Sequence, residues 1–250
     1  MKKINAFILA AGKGTRLNQG KPSDKPKVLY GVLGKPMVSY TLGLLRKIGI
    51  KKPVIIIGYK AASVKKALGN KTITYVLQKK QLGTGHALLC AKKYLKGIDT
   101  ALVMGGDDSA FYKPQTLLSL IKHHQKSDSV ITLLTINYPR PEGLGRIMRD
   151  NKNKIISIIE EKEATRQQKK IKEVNAGTYC FKTSWLLDNL FRIKVSDQVG
   201  EYYITNLVKM AIAENEHVTA LKIRNPNEWV GVNTLEQLEE ANLLMKKTKK

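Results

Sequence analysis

The chain has 250 residues, of which 42% are hydrophobic and 26% are charged, a balance typical of a globular protein with a sizeable core. This length fits one large α/β domain or two small ones. No apolar run approaches the roughly 18 residues that a membrane span needs, so the composition argues against an integral membrane protein.

The formal net charge is +24, from 44 basic and 20 acidic residues, and so basic a chain suggests nucleic-acid binding. However, only eight of these 44 basic residues are arginine. Arginine is the residue type that favours bidentate contacts with phosphates and bases, so its scarcity argues against dedicated nucleic-acid binding. The remaining lysines are mostly scattered. We therefore expect a surface that attracts small polyanions such as nucleotides, and keep a nucleic-acid-binding protein as the alternative of a different class.

The N-terminus resembles a signal peptide, because Met1–Lys3 precedes the apolar run Ile4–Ala11. That run is short, Asn5 interrupts it, and no small-residue cleavage site follows, so we interpret it as a buried first strand. Cys90 and Cys180 show no metal-ligand spacing and imply no disulfide framework. We therefore expect a cytoplasmic protein.

Short apolar runs alternate with amphipathic stretches, a pattern typical of a mainly parallel sheet with crossover helices. The predicted strands are Ile4–Ala10, Pro53–Gly58, Ile73–Gln78, Ala101–Gly105 and Val130–Ile136. The predicted helices are Val38–Lys47, Ser63–Leu68, Thr84–Leu95 and Pro114–Lys126. The unbroken apolar run at 54–57 indicates a strand that is buried on both faces.

The pattern changes after Pro139. Segments Ile155–Glu160 and Glu173–Phe181 alternate with polar residues, which predicts mixed or antiparallel strands, and helices are predicted at Tyr203–Asn215 and Thr234–Met245. We expect one domain over residues 1–250. In it, a nucleotide-binding half up to about residue 110 packs against an acceptor half that covers about 111–250.

A glycine-rich segment, LAAGKGTR at 9–16, follows the first predicted strand. Gly12 and Gly14 let the backbone approach a ligand closely, and successive exposed amides form an anion-binding concavity. Three cations surround this segment: Lys13, Arg16 and Lys27. The spacing differs from that of the Walker loop and of the dinucleotide fingerprint. The segment therefore predicts a triphosphate site of another kind, with a simple glycine-rich turn as the alternative.

Further motifs follow in order along nearly the whole chain. They are KPKVL at 25–29, QLGTGHA at 81–87, GGDD at 105–108, GLGRI at 143–147, EEKEAT at 160–165, EVNAG at 173–177, GEYYITN at 200–206 and GVN at 231–233. With LAAGKGTR, this set resembles the sugar-phosphate nucleotidyltransferase family, most of all the uridylyltransferase domain of bacterial N-acetylglucosamine-1-phosphate uridylyltransferases.

The resemblance implies an α/β fold of the nucleotide-diphospho-sugar transferase type, a Rossmann-like, mainly parallel mixed sheet flanked by helices. The implied reaction transfers a nucleotidyl group from UTP to a sugar 1-phosphate, with N-acetylglucosamine 1-phosphate preferred, and Mg²⁺ as the cofactor. The products would be a UDP-sugar and pyrophosphate. In many relatives a β-helix acetyltransferase domain follows, and we expect this chain to lack it.

The family's roles carry over to matching positions. Nucleotide contacts are implied for Leu9, Ala10, Ala11, Gly12, Gly14, Gln78, Gly83 and Thr84. Catalytic roles on the phosphates are implied for Arg16 and Lys27. Sugar-side contacts are implied for Gly145, Glu160, Lys162, Asn175 and Thr205, with Lys162 near the acceptor's phosphate. The implied metal ligands are Asp107 and Asn233.

For several of these residues, the position in the sequence itself indicates a role, and a purely structural role is the alternative. Asp107 follows the apolar run 101–104, at the carboxyl end of a strand, where open α/β sheets bind ligands. Its plainer role is that of a turn residue. Asn233 and Thr84 could each cap a helix, and Gln78 could be a polar strand end.

The metal-strand motif departs from the family's aromatic-Gly-Asp-x-Pro pattern. Here Gly105 replaces the aromatic residue and Ser109 the proline, while Asp108 adds a second carboxylate. These departures leave the reaction type intact and the sugar open, and Asp108 either supports the metal or is solvated. Other bases and sugars, and a relative that binds nucleotide without catalysis, remain alternatives. We assign His86 a structural role, because the reaction needs no general base.

Overall fold

The computed structural model describes residues 2–18, 23, 25–69, 72–108, 110–196 and 199–248, and Ser109 lies outside them. The strands are β1 (Ile4–Ala10), β2 (Gly31–Val32), β3 (Lys35–Pro36), β4 (Val54–Ile57), β5 (Thr74–Leu77), β6 (Thr100–Gly105), β7 (Ile131–Asn137), β8 (Arg146–Arg149), β9 (Ile155–Ile159), β10 (Glu173–Lys182) and β11 (Val218–Ile223). The α-helices are α1 (Met37–Lys47), α2 (Ala61–Leu68), α3 (Thr84–Cys90), α4 (Pro114–Ser127), α5 (Thr183–Asn189), α6 (Thr205–Ala213) and α7 (Leu235–Thr248).

The main sheet has the strand order β11-β7-β10-β6-β1-β4-β5, with β8 paired to β10 and β9 paired to β8. Strands β6, β1, β4 and β5 are mutually parallel. Strand β10 runs antiparallel to both of its neighbours, β6 and β7. The expected mainly parallel mixed sheet is therefore confirmed.

Apolar side chains on both faces of the sheet form its core. In β1, Phe7 belongs to one buried cluster, while Ala6 and Ile8 belong to a second cluster on the opposite face. All four residues of β4 are buried, as its continuous apolar run predicts. None of the described helices combines the length and apolarity that a bilayer crossing requires.

The predicted strands agree with the observed ones to within one or two residues, but one predicted helix is wrong in length. The segment Thr84–Leu95 forms an α-helix only to Cys90, and a 3₁₀ turn at Lys92–Leu95 follows Ala91. The sequence patterns also missed β8, β11 and α5. The division into a nucleotide half and an acceptor half stays a prediction.

A buried carboxylate ties together four strands of the main sheet. Glu173 on β10 accepts hydrogen bonds from Arg149 on β8, at 3.0 and 2.6 Å, and from Thr135 on β7, at 2.7 Å. Nζ of Lys222 on β11 lies 2.8 Å from Oε2 of Glu173. Burial alone would raise the pKa of Glu173, but the hydrogen bonds from Arg149, Lys222 and Thr135 lower it to about 2.

This carboxylate should make the free energy of unfolding depend on pH. Its folded pKa of about 2 lies below the unfolded value of about 4.3, so its stabilisation is complete above about pH 5 and is lost as the pH falls towards 2. We expect Glu173→Gln to lose about 3 kcal/mol of unfolding free energy at pH 7. Its unfolding free energy should also change less than that of the wild type as the pH falls from about 5 to 2.

Urea denaturation followed by circular dichroism, at pH values from 7 to 2, measures both effects. Glu216→Gln is the matched control, because Glu216 is exposed. Equal losses in the two variants, or an unchanged slope between pH 5 and 2 in Glu173→Gln, would contradict this assignment.

Candidate active site

The loop after β1 lies at the edge where the parallel strands end. The carbonyl of Leu9 accepts a hydrogen bond from the amide of Gly106 after β6, at 3.1 Å. The carbonyl of Ala11 accepts one from Tyr59 after β4, at 3.0 Å. The predicted triphosphate loop is therefore held by the chain segments that follow two neighbouring strands, at the ligand-binding edge of such sheets.

A glycine in this loop brings Lys27 close to it. Gly14 has a φ of 69°, a conformation that L side chains rarely adopt. A Cβ there would also lie 2.8 Å from Cβ of Lys27. Gly12 and Lys13 are exposed beside it. Arg16 is exposed in the 3₁₀ turn Thr15–Asn18, with its Nη1 3.4 Å from the carbonyl oxygen of Gly143.

Lys27 lies between the two predicted metal ligands. Its ammonium forms an ion pair with Asp107 and donates a hydrogen bond of 2.9 Å to Oδ1 of Asn233, 206 residues away. The side chains of Lys27 and Asp107 are 16% and 21% exposed, so water screens this pair incompletely. One cationic group thus joins the loop before α1, the end of β6 and the segment before α7.

The same two side chains fit a divalent cation. A carboxylate oxygen and an amide oxygen already converge on one positive charge, and Mg²⁺ prefers such oxygens together with phosphate and water. The described residues contain no cluster of three or more His, Cys, Asp or Glu side chains able to hold a metal ion. If Mg²⁺ binds here, Asp107 and Asn233 are the side chains that would hold it, together with oxygens of bound phosphates.

The capping alternative for Asn233 is wrong. The amide of Gln237 donates to Oγ1 of Thr234, at 3.2 Å. In return, Oε1 of Gln237 accepts from the amides of Asn233 and Thr234, at 2.6 and 3.1 Å. This reciprocal arrangement is a capping box. The Asn233 side chain is thereby left to contact Lys27.

Gln78 is held in one orientation at the end of β5. Its Nε2 donates to the carbonyl of Gly83, at 3.0 Å, and lies 2.9 Å from Nδ1 of His86. Because a carbonyl can only accept, the amide cannot be flipped, and Nδ1 of His86 is the acceptor. The contact gives His86 a structural partner. Oε1 of Gln78 remains an acceptor, with no hydrogen bond recorded from the described residues.

Thr84 does not cap its own helix, so that prediction is wrong. Helix α3 begins at Thr84 with Gly83 as the N-cap and no side-chain cap. Oγ1 of Thr84 instead accepts from the amide of Ile204, at 2.9 Å, just before α6. A Cβ on Gly83 would lie 2.6 Å from the carbonyl oxygen of Tyr202. Positions 83 and 84 thus join α3 to the start of α6.

A cavity of about 170 Å³ opens beside Lys27 and its partners. Its lining includes Asp107 and Asn233 together with Gly145, Glu160 and Asn175. Arg16 also contributes to its wall. The predicted metal ligands and three predicted sugar-side residues therefore face one common space.

Two further contacts fix the sugar-side residues. Oε1 of Glu160 accepts a hydrogen bond from Thr205, at 2.8 Å, and the carbonyl of Gly145 accepts one from the amide of Asn175, at 2.9 Å. Burial raises the pKa of Glu160, against the effect of the Thr205 hydroxyl. Lys162 is exposed in the turn after β9, and the described lining of the cavity does not include it.

The sequence patterns missed one residue of the cavity wall and one residue beside that wall. Trp229 is 2% exposed, donates to the carbonyl of Ala176 at 3.0 Å, and forms part of the wall. Arg146 is 1% exposed and pairs with Glu161 at 2.7 Å, which anchors the strand next to Gly145. The signals were an indole just before the GVN motif and an arginine inside GLGRI.

The chain is similar in sequence to known proteins along nearly its whole length. A family model described as nucleotidyl transferase matches residues 5–248. The "Bifunctional protein GlmU" of Clostridium novyi (strain NT) is 38% identical over 97% of this chain and 52% of its own length. The protein of that name from Limosilactobacillus reuteri (strain DSM 20016) is 40% identical over 98% of this chain and 53% of its own length. The chain thus spans about half the length of these relatives.

A solved structure shares the fold. It is described as a putative glucose-1-phosphate thymidylyltransferase from Bacillus anthracis in complex with a sucrose. It superposes with a TM-score of 0.79 at 23% identity, covering 96% of this chain and 94% of that chain. The expected nucleotide-diphospho-sugar transferase fold is therefore confirmed.

Because the Lys27 ammonium lies between Asp107 and Asn233, a divalent cation must compete with it. We expect Lys27→Ala to bind Mn²⁺ on the order of fivefold more tightly than the wild type in the substrate-free protein, equivalent to about 1 kcal/mol. Electron paramagnetic resonance of free Mn²⁺ measures this affinity.

Lys13→Ala is the matched control, since it removes the same charge from an exposed position in the neighbouring loop. An equal change of Mn²⁺ affinity in both variants would mean that the lower net positive charge causes the effect, and not direct competition by Lys27. Weaker Mn²⁺ binding by Lys27→Ala would show that the ammonium does not compete for these ligands.

Proposed function

The chain belongs to the nucleotidyl transferase family, and from that membership we propose that it transfers a nucleotidyl group from a nucleoside triphosphate to a sugar 1-phosphate. The preferred pair is UTP and N-acetylglucosamine 1-phosphate, which gives a UDP-sugar and pyrophosphate. One observation carries the proposal. The Lys27 ammonium, with Asp107 and Asn233, stands where the anion-binding loop meets the cavity.

The proposed reaction is an in-line displacement. A phosphate oxygen of the sugar 1-phosphate attacks the α-phosphorus, the bond from that phosphorus to the bridging oxygen of the β-phosphate breaks, and pyrophosphate leaves. The attacking oxygen is already ionised at neutral pH, so no general base is needed. The main obstacle is repulsion between two anions, and catalysis consists of alignment and charge neutralisation.

Each basic residue of the site has a proposed task. The amides around Gly12 and Gly14 bind the triphosphate, and Arg16 holds its β- and γ-phosphates from the wall of the cavity. Lys27 neutralises the charge that develops on the α-phosphate. Mg²⁺ bound by Asp107 and Asn233 would supply further positive charge to both substrates' phosphates.

The orientation of Gln78 supports a uracil base. Its amide nitrogen is committed to Gly83 and His86, so its oxygen is the group that remains to contact a ligand. Uracil presents an N3–H donor to such an acceptor, whereas N3 of cytosine is itself an acceptor. This geometry favours UTP over CTP, and thymine, which has the same N–H, must be rejected through its methyl group.

The acceptor side supports a sugar with several hydrogen-bonding groups. Glu160 and Asn175 place a carboxyl and an amide group in the wall of the cavity, and the buried hydroxyl of Thr205 supports Glu160 from behind. A site built to hydrogen-bond such groups rejects analogues that lack them. We propose N-acetylglucosamine 1-phosphate on this basis and on the family resemblance, and we propose a cytoplasmic location.

Pyrophosphate release across the nucleoside triphosphates and a panel of sugar 1-phosphates tests the proposal. We expect the fastest release with UTP and N-acetylglucosamine 1-phosphate. Faster release with CTP, GTP or dTTP would overturn the base assignment alone. No release with any pair, together with binding to nucleic acid that weakens steeply with salt, would favour the alternative class that the +24 charge suggests.

Activity should also depend on the charge of Asp107. Asp107→Asn keeps the size of the side chain and one oxygen ligand, but a neutral ligand holds Mg²⁺ less well. Loss of one such charge-neutralising contact typically costs about 3–4 kcal/mol, on the order of a hundredfold or more in rate. Steady-state rates over a Mg²⁺ titration should show partial recovery at high Mg²⁺, and a variant with a normal rate at low Mg²⁺ would exclude Asp107 as a ligand.

A further inference from the structure

The Asp108 carboxyl group lies where two glycines leave room for it. A Cβ on Gly105 would lie 2.8 Å from Oδ1 and 2.9 Å from Oδ2 of Asp108, and a Cβ on Gly177 would lie 2.8 Å from Oδ2. Gly177 lies where the register of β10 shifts against β7. Any other residue at 105 or 177 would have to displace the carboxyl group, so both positions fix its location.

One oxygen of this carboxyl group lacks a partner. Oδ1 of Asp108 is shielded from solvent and has no hydrogen bond from any described residue. The nearby donors are used elsewhere, since the Tyr112 hydroxyl and the Trp229 indole both donate to the carbonyl of Ala176, at 3.2 and 3.0 Å. An unsatisfied buried acceptor is costly, so a donor from outside the protein would stabilise it.

The Asp108 side chain also lines the cavity. Because its terminal torsion is broad, a small rotation can turn a carboxyl oxygen toward the cavity without moving the backbone. The other acidic groups there already have partners. Glu160 accepts from Thr205, and Asp107 pairs with Lys27. Asp108 is thus the lining carboxylate best placed to accept a hydrogen bond from a bound molecule.

We propose that Asp108 determines acceptor specificity by accepting a hydrogen bond from a hydroxyl group of the sugar 1-phosphate. This inference rests on the proposed function. It gives Asp108 a contact with the sugar, whereas its neighbour Asp107 contacts the metal. A sugar 1-phosphate that lacks the corresponding hydroxyl group would leave the Asp108 carboxyl group unpaired and would be rejected as a substrate.

The test compares Asp108→Ala with the wild type in steady-state kinetics. We expect KM for the sugar 1-phosphate to rise by about tenfold, because a buried hydrogen bond is lost, while KM for UTP and the Mg²⁺ requirement stay within about twofold. Asp107→Asn is the matched control, because it should shift the Mg²⁺ requirement instead.

A series of deoxy-sugar 1-phosphates identifies the contact. For the analogue that lacks the contacted hydroxyl group, the wild type and Asp108→Ala should have equal KM values. For every other analogue, KM should remain about tenfold higher in Asp108→Ala than in the wild type. Asp108→Asn keeps the volume if Asp108→Ala fails to fold, and it should raise the sugar KM in the same series by a smaller factor.

Three results would overturn the inference. An unchanged sugar KM in an active, folded variant removes Asp108 from the acceptor site and leaves the proposed function intact. Recovery of Asp108→Ala by added Mg²⁺ assigns the residue to the metal. A wild-type protein that turns over no pair of substrates removes the proposed function and this inference together.

Discussion

The site depends on one ammonium group that lies between a carboxylate and an amide. Lys27 can reach Asp107 and Asn233 because Gly14 has no side chain to separate the loop from it. Asp107 is placed there by the end of the buried strand β6, and Asn233 by the capping box that starts α7. A change in the Gly14 loop or at the end of β6 would leave a charge without its partner at the edge of the sheet, and such a charge is costly when water screens it poorly. Loss of the capping box would remove one hydrogen bond from Lys27.

The sheet topology explains why the predicted nucleotide-side and acceptor-side residues meet. Strand β10 inserts antiparallel between β6 and β7, which carries Asn175 and Gly177 to the edge where β6 ends, two residues before Asp107. The irregular register at that point re-aims the backbone, as bulges near active sites often do. Glu173, at the start of the same strand, holds β7, β8 and β11 in place through Thr135, Arg149 and Lys222.

Much of the fold could be predicted from the sequence, because buried strands such as β4 are unbroken apolar runs. Strands β8 and β11 could not, since Arg149 and Lys222 are charges that look unsuited to strands until Glu173 neutralises them. Thr84 and Asn233 carry ordinary capping signals, and distant partners decided their roles. The setting of Asp108 depends on Gly177 on another strand, a proximity that no local pattern encodes.

Phosphorus NMR with ¹⁸O-labelled sugar 1-phosphate tests nucleotidyl transfer most directly. The label is placed in the non-bridging oxygens of N-acetylglucosamine 1-phosphate, and the protein is incubated with unlabelled UTP and Mg²⁺. Attack on the α-phosphorus predicts a diphosphate product with ¹⁸O in the bridge between its two phosphorus atoms, together with unlabelled pyrophosphate. Labelled pyrophosphate, or release of unlabelled inorganic phosphate with the sugar 1-phosphate unchanged, would contradict this account.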